Sequence, residues 1–199
     1  MPRMTGVNTL STVLLPAGHL PATRQSWPWL PRRFSQPHRR AAAAVLQARL
    51  LEIMTANPAA DILIVGDLNE NVDEADRVKR LYPTALAPLF SPAPGAILVT
   101  GRPPSQAHAG QLVFFSPWLE TAKPRGSYVY RGEWQTPDHF LLSAGLFDDY
   151  GFKYRPGSFR VASRGLTHPR TGYPLGSDGG GASDHLPIIL TLEYVEAVD

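Results

Sequence analysis

Three short segments carry residue types that could do chemistry on a charged substrate. The first is Asp61-Ile-Leu-Ile-Val-Gly-Asp67-Leu-Asn69. Four apolar, mostly β-branched positions follow an acid and read as a buried strand. Gly66 then leads to a carboxylate and a carboxamide two residues apart. In an extended chain, positions i and i+2 point to the same side, so Asp67 and Asn69 are expected to leave the strand end together. One carries charge and the other donates hydrogen bonds, a pairing that suits a phosphate or a metal-bound water. The same residues also fit an Asx turn that closes the strand. The second segment is Ser183-Asp184-His185-Leu186-Pro187, delivered by a glycine-rich loop into the apolar run 188–192. Here Asp184 is placed to bind a cation and His185 to move a proton. A polar turn before an edge strand is the plainer alternative, and Pro187 fits an edge. The third segment, Asp138-His139-Phe140-Leu141-Leu142-Ser143, again sets an acid at the start of an apolar strand.

The elements that must position these residues follow from periodicity. Residues 11–15 read as a strand, and 16–37 as a long loop containing Trp27, Trp29 and the pair Arg32-Arg33. Residues 39–56 are the clearest helix, with Leu46, Leu50, Ile53 and Met54 at helical spacing and Asn57-Pro58 as its stop. Arg39 and Arg40 are expected to solvate its start. Residues 61–65 are a strand and 73–81 a short charged helix. Residues 81–104, rich in Pro and Ala, specify little. Strands are expected at 111–115, 126–130 and 138–143, weaker ones at 147–154 and 160–162, and a closing strand at 186–194. Residues 163–182 form a loop rich in Gly, Pro and Ser. Partial alternation of strands and helices indicates one layered α/β domain over residues 1–199.

With these motifs in order, the chain resembles the endonuclease/exonuclease/phosphatase superfamily of metal-dependent phosphoesterases, which includes pancreatic deoxyribonuclease and sphingomyelinases. Gly66-Asp67-Leu68-Asn69 resembles the family's Gly-Asp-Phe-Asn. Residues 138–143 resemble its Asp-x-hydrophobic-Leu-x-Ser strand, and 183–187 its Ser-Asp-His-x-Pro. His19-Leu-Pro-Ala-Thr-Arg24 and Tyr128-Val-Tyr-Arg-Gly-Glu-Trp134 are similar to segments of a bacterial branch. The resemblance implies an α/β (α+β) fold: a layered β-sandwich flanked by helices, deoxyribonuclease-like. It implies that His185 is the base or phosphate partner, oriented by Asp138. Asp67 would bind or orient the nucleophilic water or protonate the leaving oxygen, and Asn69 would donate to a phosphoryl oxygen. His19 would be a second phosphate-facing imidazole, and Arg24 a phosphate clamp or an exposed loop arginine. Asp184 and Asp67 would hold a hard cation, Mg2+ or Mn2+ with Ca2+ as a further option. The substrate would be a phosphate ester: nucleic acid, phospholipid head group or sugar phosphate. A catalytically inactive remnant that binds a phosphorylated ligand is the alternative.

Family members are typically longer and begin with a half that supplies an early Asn and a metal-binding Glu. Here Asn8 stands in Gly-Val-Asn-Thr and the first glutamate is Glu52. A fold incomplete at its N-terminus is therefore expected, with an uncovered sheet face open to self-association. The 199 residues suffice for a substantial core, and a formal net charge of +2 neither requires nor excludes nucleic acid. The absence of cysteine excludes disulfides and thiolate metal sites. Apolar runs are too short to span a bilayer and no signal peptide is visible. A soluble, cytoplasmic protein is the default expectation, or an exported one if a leader precedes Met1.

Overall fold

The computed structural model describes residues 11–14, 31–79, 84–89, 96–104, 111–120 and 125–196. The apolar run after Asp61 becomes strand β2 (Ile62–Asp67), in a sheet of six strands. β1 (Ser11–Leu14) lies parallel to it on one side. On the other side β8 (Asp138–Leu142) runs antiparallel, in a register that pairs Leu63 with Leu142, Val65 with Phe140 and Asp67 with Asp138. β5 (Val113–Phe115), β4 (Ile97–Thr100) and β3 (Leu86–Pro88) complete the order β1-β2-β8-β5-β4-β3. Opposed residues of an antiparallel pair share a face, so two apolar pairs lead along one face to an acid pair at its end.

Each face of this sheet has its own core. α1 (Pro31–Ala56) sends Leu46 and Leu50 onto Ile62, Ile64, Leu86, Ile97, Val99, Phe114 and Leu141. Leu63, Phe115, Leu142, Leu146 and Tyr154 pack on the opposite face, with Val65, Phe140, Phe152, Leu190 and Leu192 at its margin. Each fully buried aliphatic side chain contributes about 1.5–3 kcal/mol. The helix ends where Asn57 N–H donates to Ile53 O at 2.8 Å and the Asn57 side chain accepts from Ala59 N–H at 3.1 Å. Ser143 then joins the strands at the end remote from the acid pair. Its hydroxyl donates to Ala60 O at 2.7 Å and accepts from Ile62 N–H at 2.8 Å.

The second core is covered by short ladders. β9 (Gly151–Tyr154) pairs with β12 (Leu192–Val195), and β10 (Arg160–Val161) with β11 (Ile188–Ile189). β6 (Tyr128–Tyr130) and β7 (Glu133–Gln135) form a hairpin. The architecture is mixed α/β.

Several expectations are corrected. The closing strand 186–194 is two strands. Residues 155–159, which turn through Gly157 at φ 72°, face only 190–191, so the ladder bulges there. Thr191 N–H donates to Ser158 Oγ at 3.0 Å within the bulge. α1 begins at Pro31, eight residues before the expected start, and runs through Pro37. Residues 81–104, expected to be unspecified, hold β3 and β4, with Leu86, Ala87, Ile97 and Val99 buried. The short helix is only α2 (Glu74–Arg77). Of the positions expected on an uncovered face, Val65 and Phe140 are half-buried. Ile62, Leu63, Ile64, Leu141 and Leu142 are buried, because α1 covers one side and Tyr154 with its neighbours the other. Ile188, Ile189, Leu190 and Leu192 are half-buried. Among the described residues no helix is long and apolar enough to cross a membrane.

Candidate active site

β2 ends where β8 begins, and the residues that oppose each other there are Asp67 and Asp138. Asp67 is half-buried, and its Oδ1 accepts from Asn69 N–H at 2.8 Å. This is an Asx turn, closed further by Leu68 N–H on Pro137 O at 2.8 Å. The turn corrects the expectation that Asp67 and Asn69 leave the strand as i and i+2 of an extended chain. The strand stops at Asp67, and Asn69 is exposed with a left-handed φ of 53°. Asparagine tolerates that conformation better than most residues.

Asp138 is the hub. Its Oδ2 accepts from Ser127 Oγ at 2.5 Å and lies 2.8 Å from His185 Nδ1. An ionised carboxylate only accepts, so Nδ1 carries a proton and donates it. When the ring is neutral, Nε2 therefore holds a lone pair. His185 comes from the loop that enters β11, and its backbone N–H donates to Ser183 Oγ at 3.0 Å. The Asp138 hydrogen bond raises the pKa of His185 above 6.5, against the opposing effect of burial, and the charges of Asp138, Asp67 and Asp184 add to the rise. Burial pushes the Asp67 carboxyl above the usual carboxylate range. Asn69 N–H and His185 pull it back, while Asp138 and Asp184 push it further.

Asp67, Asp138 and His185 each offer a ligand atom, and the three atoms lie within 4.8 Å of one another. Two carboxylates at directly opposed positions repel unless a proton or cation lies between them. Asp67 and Asp138 supply carboxylate oxygens that could hold a cation, with the imidazole of His185 beside them. Asp184, expected as a ligand, is exposed and stands outside this group, though its charge acts on Asp67 and His185. His19 and Arg24 lie outside the described residues.

Sequence reasoning missed four residues around this centre. Ser127 bonds Asp138, and the ring of Tyr128 stacks on His185 with centroids 4.6 Å apart and planes at 27°. Arg39, expected to solvate a helix start, donates from Nη1 to Asn69 O at 2.7 Å, and its Nε lies 3.8 Å from Glu70 Oε1. Glu70 is buried, and its Oε2 accepts from Ala85 N–H at 2.8 Å and Leu86 N–H at 3.2 Å. For Glu70 the only signal was position, directly after the Gly-Asp-Leu-Asn motif, and Tyr128 opens the segment 128–134. His139, inside a motif, belongs elsewhere. It is fully buried and bonds Glu70 O through Nε2 at 2.8 Å, and burial lowers its pKa to about 4.

What the arrangement can do is accept a proton at an oriented imidazole, beside carboxylates able to hold a cation. Comparison with family models, with curated proteins and with solved structures returns no match.

Proposed function

We propose that this chain is a divalent-metal-dependent phosphoesterase that hydrolyses phosphodiester or phosphomonoester bonds, with the finer fold of the deoxyribonuclease-like layered type. The observation that carries this reading is the 2.8 Å contact of His185 Nδ1 with Asp138, at the sheet end where Asp67 stands opposite Asp138. The ordered motifs at 66–69, 138–143 and 183–187 support it.

Hydrolysis of a phosphate ester needs an attacking water, neutralisation of the phosphoryl charge and a proton for the leaving oxygen. Asp138 fixes the tautomer that presents Nε2 of His185 for proton transfer. Asp67, half-buried at the end of β2, would orient the attacking water while it ligates the cation, or protonate the leaving oxygen where it holds none. Asp67 and Asp138 would hold the cation, with Asp184 adding negative charge nearby. When bound, the cation supplies charge neutralisation on the phosphoryl oxygens. Asn69, exposed at the turn, would donate to a phosphoryl oxygen. His19 and Arg24 are proposed as further phosphate contacts.

The test is turnover of bis-p-nitrophenyl phosphate and p-nitrophenyl phosphate with Mg2+ or Mn2+, with and without excess chelator. Cation-dependent turnover that chelation abolishes is expected. Undiminished turnover in chelator removes the cation from the mechanism. Saturable binding of either ester with no turnover replaces catalysis by phospho-ligand binding.

A further inference from the structure

The geometry points to Ser127 and Tyr128 as positioning residues that together hold the Asp138–His185 pair in its working arrangement. Ser127 is fully buried, and every polar atom of it with a described bond touches this centre or its frame. Its hydroxyl donates to Asp138 Oδ2, the same oxygen that faces His185 Nδ1. Its carbonyl accepts from Leu186 N–H at 2.7 Å, which fixes the backbone next to His185. Its own N–H donates to Gln135 O at 3.0 Å, which seats the segment on β7. Tyr128 adds a second hold. Its ring lies nearly flat on the imidazole, and its backbone makes an antiparallel bridge with His185.

Position and plane are therefore fixed from different directions. A carboxylate held by one donor can swing about its last torsion; two donors on one oxygen remove that freedom. An imidazole hydrogen-bonded at one nitrogen can still rock about that bond; a stacked ring opposes the rocking. The segment tolerates little displacement. A Cβ on Gly126, which has φ 158°, would meet Gln135 O at 2.4 Å. Ser127 and Tyr128 touch neither a cation nor a substrate in this scheme, so their effect passes through Asp138 and His185. The charged and titratable groups that face the His185 ring are Asp138 from β8, Asp67 from β2, Tyr128 from β6 and Asp184 from its own loop.

The kinetic arm of the test rests on the phosphoesterase reading; the spectroscopic arm does not. The 15N-labelled full chain is examined by NMR for the His185 Nδ1–H proton. That proton is visible downfield only while its hydrogen bond persists and water is kept away. Ser127→Ala and Tyr128→Leu are expected to broaden or abolish this resonance. They should lower kcat on bis-p-nitrophenyl phosphate about tenfold or more, with KM moving less than about threefold. Tyr128→Phe, which keeps the ring, is expected to keep both resonance and kcat. Retention of the resonance and of kcat in both Ser127→Ala and Tyr128→Leu overturns the inference. So does a Tyr128→Phe variant that falls as far as Tyr128→Leu. Should the parent chain show no turnover, the phosphoesterase reading fails by itself, and loss or retention of the resonance still decides the inference.

Discussion

His185 is pulled in two directions by its surroundings, and the sign of the outcome sets a pH dependence. Burial favours the neutral ring; the hydrogen bond to Asp138 favours the charged one and is the larger effect, so the pKa lies above 6.5. A base must be neutral to accept a proton. The rate is therefore expected to rise with pH through a limb set by the loss of the proton from this ring. Asp138→Asn removes the charge that raises that pKa and loses the preference for the Nδ1–H tautomer. The limb should then move to lower pH, and the plateau rate should fall by about 10²–10⁴-fold. A pH–rate profile of the parent and of Asp138→Asn checks both. An unmoved limb in the variant would show that another group titrates. His185→Ala should fall at least as far; a change below about threefold would give His185 a structural role only.

At the scale of elements, the site depends on where strands end and what holds those ends. β2 stops in the Asx turn at Asp67, and Arg39 of α1 grips that turn through Asn69 O while facing the buried Glu70. Removing Arg39 leaves Glu70 without that cation and the turn without its 2.7 Å bond. Arg39→Ala is expected to cost about 2 kcal/mol in urea unfolding and to reduce turnover, whereas Arg40→Ala, at an exposed position of the same helix, should cost under about 0.5 kcal/mol. Equal effects of the two substitutions would reduce Arg39 to a surface residue. The strands themselves were legible: β-branched runs bounded by acids and glycines announce β2 and β8. Their register was not. A one-residue slip would put Asp67 opposite a neighbour of Asp138 and turn its side chain to the helix face, and nothing local forbids that. β3 and β4 were hidden because the prolines and alanines around 91–95 mask two short apolar runs. Ser127, Glu70 and Arg39 were illegible for a common reason. The partners of their side chains lie 11 to 31 positions away in sequence, and a polar residue in isolation reads as surface.

For the molecule as a whole, the two sheet faces divide the labour. One carries Asp67 and Asp138 toward the candidate site; the other carries His139 into the region beneath α1. His139 donates to Glu70 O and is neutral near neutrality, because burial lowers its pKa to about 4. Its folded pKa lies below the unfolded value, so its stabilising contribution is complete above about pH 6.5. It is lost as pH falls toward 4, amounting to about 3 kcal/mol over that window. Asp61, Asp67 and Glu70 act with the opposite sign. Their folded pKa values are raised by burial, so protonation in acid relieves them, and their stabilising effect is lost as pH rises. The formal net charge of +2 is too small for self-repulsion to dominate near neutral pH. The total stability curve therefore mixes opposed local terms, and a difference measurement isolates His139. His139→Gln keeps a donor for Glu70 O but does not titrate. Urea unfolding of both proteins from pH 7 to pH 4 should show the stability of the parent relative to the variant shrinking by about 3 kcal/mol. A constant difference across that range would mean that His139 does not have to charge on unfolding, and that the core beneath α1 admits water to the imidazole.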